Sequence, residues 1–151
     1  MITFQHENLS KVKEELKPLL HEHWALVALN QDKIKLNPDW KEYARLDAAG
    51  VLRIFTARDE GELVGYLVMF INKSLHYKDH FFASHDVIYV KPDKRAGATG
   101  YKLLKYVEDY CKDCGVSLMT LNTKVHIPFD NLLKSNGYDL IERCYTKYIG
   151  K

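Results

Sequence analysis

The part of the sequence best equipped for chemistry is Arg95-Ala96-Gly97-Ala98-Thr99-Gly100, which follows the strand-like run Val87-Ile88-Tyr89-Val90 and leads into a helical stripe that begins at Leu103 and Leu104. Gly and Ala leave backbone N–H groups uncovered there. The first turn of the helix adds more unsatisfied donors, with the positive end of the dipole behind them. Such a turn attracts an anion. Between positions 91 and 105 the charges are Lys91, Lys94, Arg95, Lys102 and Lys105 against Asp93 alone, a bias that the net charge of +2 conceals. Phosphate is the natural ligand.

Two common phosphate-binding turns do not fit. A nucleotide P-loop places Lys and Ser/Thr directly after its last Gly, whereas Gly100 is followed by Tyr101. A dinucleotide fingerprint needs Gly-x-Gly-x-x-Gly after the first strand of a parallel unit, and neither the spacing nor the preceding strands agree. Cys111-Lys112-Asp113-Cys114 has redox spacing but lies on an apolar stripe near a helix C-terminus, the wrong end to stabilise a thiolate, so core packing is the better reading. No spacing of Cys and His suggests zinc, and no metal is expected. Tyr138, Tyr145 and Tyr148 read as strand packing rather than base stacking.

The elements that must hold the turn can be read from periodicity. Ile2 to Phe4 suits a short strand, and Leu9, Val12, Leu16, Leu19, Leu20 and Trp24 recur at helical spacing. Pro18 predicts two shorter helices meeting at its position. Asn37-Pro38 reads as a helix start and Gly50 as its left-handed end. Leu52 to Arg58 and Leu63 to Asn72 are strands around an Asp59-Glu60-Gly61-Glu62 turn, with Phe81 to Val90 a third. A helix through Cys114 ends at Gly115. Val116 to Leu121 is a strand, Pro128 to Ser135 a short helix, and Tyr138 to Ile149 holds two further strand-like runs. The order predicts one domain over 1–151, with a mixed α+β sheet and helices on both faces.

Composition narrows the classes further. The chain has 151 residues and is 46% hydrophobic, enough to bury a core without disulfides. The 22 basic and 20 acidic residues are dispersed, so no nucleic-acid footprint is expected. No apolar run approaches the roughly twenty residues of a membrane span, and the N-terminus lacks a secretory pattern. Three cysteines and these absences point to a reducing cytoplasm.

The segment Val90-x-Pro92 followed by Arg95-x-x-Ala98-x-Gly100 resembles the pyrophosphate-binding signature of the GNAT superfamily of N-acetyltransferases, written Arg/Gln-x-x-Gly-x-Gly/Ala. Ala98 stands where the first glycine usually does, and the small residue shifts to Gly97. The order of elements extends the resemblance over about Leu52 to Tyr148. A narrower resemblance, to small acetyltransferase-like proteins of bacteriophages, rests on His21-Glu22-His23-Trp24, Leu75-His76-Tyr77, Asp86 to Val90 and Pro128-Phe129-Asp130, and would put the protein in a host cytoplasm.

The resemblance implies a central, twisted, mostly antiparallel sheet of six to seven strands, splayed between the fourth and fifth, that binds acetyl-coenzyme A. Backbone groups of Ile88, Tyr89 and Val90 would meet the pantetheine arm, and those of Arg95, Ala96, Gly97, Ala98, Thr99, Gly100 and Tyr101 the pyrophosphate. An amine acceptor, small molecule or protein, would attack the thioester directly. Asp86, His85 and His126 are the leading catalytic candidates, with His76 and His80 also available as bases. Adjacent strand residues point to opposite faces, so His85 and Asp86 share the cleft only if a bulge intervenes; Asp86 is preferred. The family's general-acid Tyr position is Leu133 here, so His126, Tyr145 or water would have to serve, or transfer is weak or absent. The alternative is a non-catalytic coenzyme A binder acting through a protein interface, for instance on a host factor. Homodimerisation is compatible with either.

Overall fold

The computed structural model describes all 151 residues. Its core is a five-stranded sheet in the order β1 (Ile2–Glu7), β2 (Leu52–Asp59), β3 (Glu62–Lys73), β4 (Phe81–Val90) and β5 (Val116–Thr120). The first four strands pair antiparallel and β4 pairs parallel with β5. Helices α1 (Leu9–Val27) and α2 (Trp40–Ala48) precede β2, α3 (Thr99–Asp113) links β4 to β5, and α4 (Asp130–Ser135) follows β5.

Strand alternation divides the core in two. Ile54, Tyr66, Val68 and Tyr89 face one side, where Leu9, Val12, Leu16 and Leu19 of α1 cover them. Phe55, Leu67, Met69 and Val90 face the other, beneath Leu103, Leu104, Val107 and Cys111 of α3. Two side chains on adjacent strand positions thus serve opposite layers. The β2–β3 hairpin closes through Glu60 and Gly61, whose φ angles of 48° and 86° are those of a tight two-residue turn. An Arg58 side chain bonded to both Glu7 and Glu15 fastens β1 and α1 to this hairpin.

Pro18 does not divide the first helix: α1 runs unbroken from Leu9 to Val27 with Pro18 inside it. Pro18 is exposed, so the carbonyl that loses its N–H partner lies on the solvent side, while the buried stripe on either side of it holds both halves to the sheet. The second helix starts at Trp40, with the Asp39 side chain accepting from the Glu42 N–H, rather than at Asn37-Pro38. Gly50 has the left-handed conformation expected of it, φ 74°.

The largest departure is at the C-terminus. The sheet has five strands and not six to seven, and Tyr138 to Ile149 forms no strand. Tyr138 packs against the α3 layer, but Leu140, Ile141, Tyr145 and Ile149 are exposed, and no backbone hydrogen bond from this segment reaches β5. Strand propensity alone does not make a strand when neither face of the segment is buried. No helix is long and apolar enough to cross a membrane.

Candidate functional site

The sheet opens where the sequence motif lies. β4 and β5 pair from Phe81↔Val116 to Ser84↔Thr120 and no further, although β4 continues to Val90. The Lys91 N–H bonds to the Val64 carbonyl on the β3 side. With a period of two, the N–H and C=O groups of Ile88 and Val90 therefore face away from β3, into the gap left by β5. Tyr89 turns its backbone to β3 and buries its ring against α1.

At the end of β4 the chain makes a 3-10 turn over Pro92–Lys94 and enters α3 at Thr99. The N–H groups of Ala96, Gly97, Ala98, Thr99, Gly100 and Tyr101 donate to no acceptor in the chain, and no side chain caps the helix. This run of free donors at the start of a 15-residue helix fits a pyrophosphate. The conformations also explain Ala98. Gly97 carries φ 94°, whereas Ala98 sits at φ −106°, ψ 16°, so the position that needs glycine is 97 and a methyl at 98 meets no backbone strain.

Arg95 does not point outward to an anion. Its Nε donates to the Val90 carbonyl at 2.7 Å and its guanidinium lies 5.4 Å from the centre of the Tyr89 ring. That carbonyl is one of the two acceptors facing the gap, so a ligand amide bonding there must displace Arg95.

Asp86 lies at a bulge. Val68 is opposite Val87 and Met69 opposite His85, which leaves Asp86 without a partner in the register. The bulge frees both neighbours from strict alternation. Asp86 Oδ2 accepts from the Tyr43 hydroxyl of α2 at 2.6 Å, while His85 reaches the other way and accepts the Asn122 N–H on Nδ1 at 3.0 Å. Burial pushes the His85 pKa down, against the opposing pull of Asp86. Burial and the hydrogen bond it gives to Asp86 together raise that of Tyr43, so its hydroxyl remains a donor. Behind them His23 stacks on Tyr89 with ring centres 5.0 Å apart, and burial, aided by Arg95, lowers its pKa to about 4.

The remaining sequence candidates lie elsewhere. His126 Nε2 is 2.9 Å from the Val27 carbonyl at the end of α1. His80 is bonded to Ser117 at the start of β5, the closed end of the strand pair, and His76 lies in the loop before β4. Leu133 is buried in the α3 layer. Cys111 is likewise buried, and burial pushes its thiol up to about 11, in keeping with a packing role. Sequence reasoning missed Tyr43 and Asn122, which carry no local motif.

A model of the acetyltransferase (GNAT) family matches residues 14–130. No curated protein matches the chain. Among solved structures, an aminoglycoside acetyltransferase from an uncultured soil metagenomic sample, in complex with sisomicin, superposes with TM-score 0.77 at 14% identity, covering 99% of this chain and 96% of that one. The ribosomal-protein-alanine N-acetyltransferase of Brucella melitensis biovar Abortus 2308 gives 0.73 at 20% identity, covering 99% and 100%. A predicted acetyltransferase with acetyl-CoA from Clostridium acetobutylicum gives 0.69 at 13%, covering 99% and 97%. At these identities the likeness is one of fold, and the narrower resemblance to bacteriophage proteins finds no support among them. With the family model spanning most of the sequence and the diverging strands and anion turn in place, the chain belongs to the acetyltransferase (GNAT) family.

Proposed function

We propose that the protein transfers an acetyl group from acetyl-coenzyme A to a primary amine by direct attack within a ternary complex. The observation that carries this is the run of free N–H groups from Ala96 to Tyr101 at the mouth of the β4–β5 gap. These donors would hold the pyrophosphate, and Ile88 and Val90 the pantetheine amides after Arg95 swings away. Bound there, acetyl-coenzyme A supplies an activated thioester carbonyl. Asp86, which accepts a hydrogen bond from Tyr43, would take the proton of the attacking amine, directly or through water. Orientation of the amine against the carbonyl supplies much of the acceleration.

The fold relatives include enzymes named for aminoglycosides and for a ribosomal protein's alanine, so both small-molecule and protein amines belong in the acceptor screen. Calorimetry with coenzyme A and acetyl-coenzyme A is the first test, followed by release of free thiol across a panel of amines. Absence of coenzyme A binding would sink the proposal.

A second reading, a coenzyme A binder that works through a protein interface, is favoured by two features. Leu133 places a buried aliphatic side chain where the family commonly has its acid, and the segment after Tyr138 exposes Leu140, Ile141, Tyr145 and Ile149. Binding of the cofactor with no thiol release on any amine would favour it.

A further inference from the structure

The fork between β4 and β5 contains a side chain whose protonation pattern is set by the backbone. His85 follows Ser84, the last β4 residue paired with β5, and its ring spans the opening to receive the Asn122 N–H on Nδ1. A backbone N–H can only donate, so Nδ1 must carry the lone pair, and the neutral ring has its hydrogen on Nε2. That Nε2–H makes no hydrogen bond within the chain and is not among its enclosed, unpartnered polar atoms. The charged and titratable groups around the ring are Asp86 beside it, Lys124 in the loop after β5, and His23 on α1. Burial outweighs the attraction of Asp86 and keeps the ring neutral at neutral pH. With its basic nitrogen already engaged, His85 is poorly suited to accept the proton of an amine. What it offers the open fork is a donor.

We propose that His85 donates its Nε2–H to the sulfur of bound coenzyme A and stabilises the departing thiolate, a task for which Leu133 provides no polar group. The inference rests on the acetyl-transfer reading above. As the acceptor nitrogen bonds to the acetyl carbon, the C–S bond breaks and its electron pair leaves on sulfur. The amine proton passes to Asp86 or water, and His85 keeps its own proton throughout, because a neutral imidazole gives a hydrogen bond to a thiolate but not its hydrogen. The other side chains that could serve are worse placed: His126 Nε2 is engaged with the Val27 carbonyl, and Tyr145 is 88% exposed.

Two measurements on the intact chain test this without an acceptor. Nitrogen-15 NMR of the free protein reads the His85 tautomer, assigned by comparison with His85→Asn. An Nε2–H ring is expected, and an Nδ1–H ring overturns the proposal. Thiolate ultraviolet absorbance then reads the titration of bound coenzyme A. A charge-assisted hydrogen bond should lower that thiol's pKa by about one unit relative to free coenzyme A, a ten-fold shift in the equilibrium. His85→Asn, whose side-chain oxygen can still accept from Asn122 but which lacks the distal N–H, should lose the shift. His85→Gln, whose amide reaches the distal position, should recover part of it. An unshifted thiol in the wild type, or a shift that survives in His85→Asn, overturns the role of His85 while leaving the cofactor reading intact. Failure of the wild type to bind coenzyme A removes both.

Discussion

The anion turn and the fork belong to one strand-turn-helix segment but are made of different material. From Ala96 to Tyr101 the groups that would meet a ligand are unpaired backbone N–H donors, and the side chains matter mainly through the torsions they permit. At His85 and Asp86 the groups are side chains, each held by a partner remote in sequence, Asn122 for the first and Tyr43 for the second. A site built from backbone tolerates changes of residue type, as Ala98 illustrates. A site built from side chains depends on every member.

The largest effect that would separate the two regions is expected from Asp86→Asn. If this carboxylate is the base, kcat should fall by about 10²–10⁴-fold, the usual range for loss of general-base catalysis, while coenzyme A affinity measured by calorimetry stays the same. A fall in affinity of comparable size would mean that Asp86 shapes the cofactor groove instead. Gly97→Val is the complementary experiment. A β-branched residue forced to φ 94° bears strain of about 1–3 kcal/mol, so affinity should weaken by roughly ten-fold or more. Unchanged binding would show that this turn does not hold the phosphates.

The same difference in material accounts for what the sequence revealed. β4 was legible to the residue, Phe81 to Val90, and the turn after it nearly so, α3 starting at Thr99 inside the Arg95 to Gly100 run, because a strand former run, a proline and a small-residue cluster are local signals. Pro18 misled because whether a proline breaks a helix depends on what its freed carbonyl faces, and here it faces solvent. The strand-like run from Tyr138 to Ile149 misled because alternation records a capacity to pair and not the presence of a partner. The Tyr43–Asp86 bond joins residues 43 apart with no periodicity to announce it, and the bulge opposite Val68 and Met69 where Asp86 stands has no local signal either.

Tyr43→Phe probes that dependence at smaller amplitude. It removes the 2.6 Å hydrogen bond to Asp86 and leaves the ring packed against the α1 layer, so kcat should drop by about ten-fold, matching a hydrogen bond to a charged group of about 1.5 kcal/mol. No change in kcat, alongside a large effect of Asp86→Asn, would leave Asp86 as the base but positioned by the bulge alone.

Acid titration reaches the layer behind the fork. His23 has its pKa lowered to about 4 from an ordinary 6.5. The unfolded chain therefore takes up a proton near 6.5 that the native state refuses until about 4. The stability this gives is complete above the unfolded value and is lost as pH falls through the window to the folded one. Thermal unfolding should shift to lower temperature across that range, and His23→Leu should flatten the shift without abolishing it, because His6 and His85 are displaced in the same direction. A wild-type and a variant with parallel acid profiles would mean that His23 is solvated in both states.

The smallest effect tests whether the two glycines of the turn do the same job. Gly97 has a positive φ and open space where a Cβ would go, so its demand is on the backbone; Gly100 is helical, and an added Cβ would meet Leu132 of α4 at 3.5 Å, an ordinary contact. Gly100→Ala should thus change coenzyme A affinity by less than about two-fold, and the alanine's better helix propensity, worth up to about 1 kcal/mol, should slightly stabilise the fold. Gly97→Ala should weaken binding more, though it adds the same single methyl. Should the order reverse, the ligand lies against the Gly100 face of α3, and the close approach of backbone to phosphate occurs one helical turn later than the torsions of the turn imply.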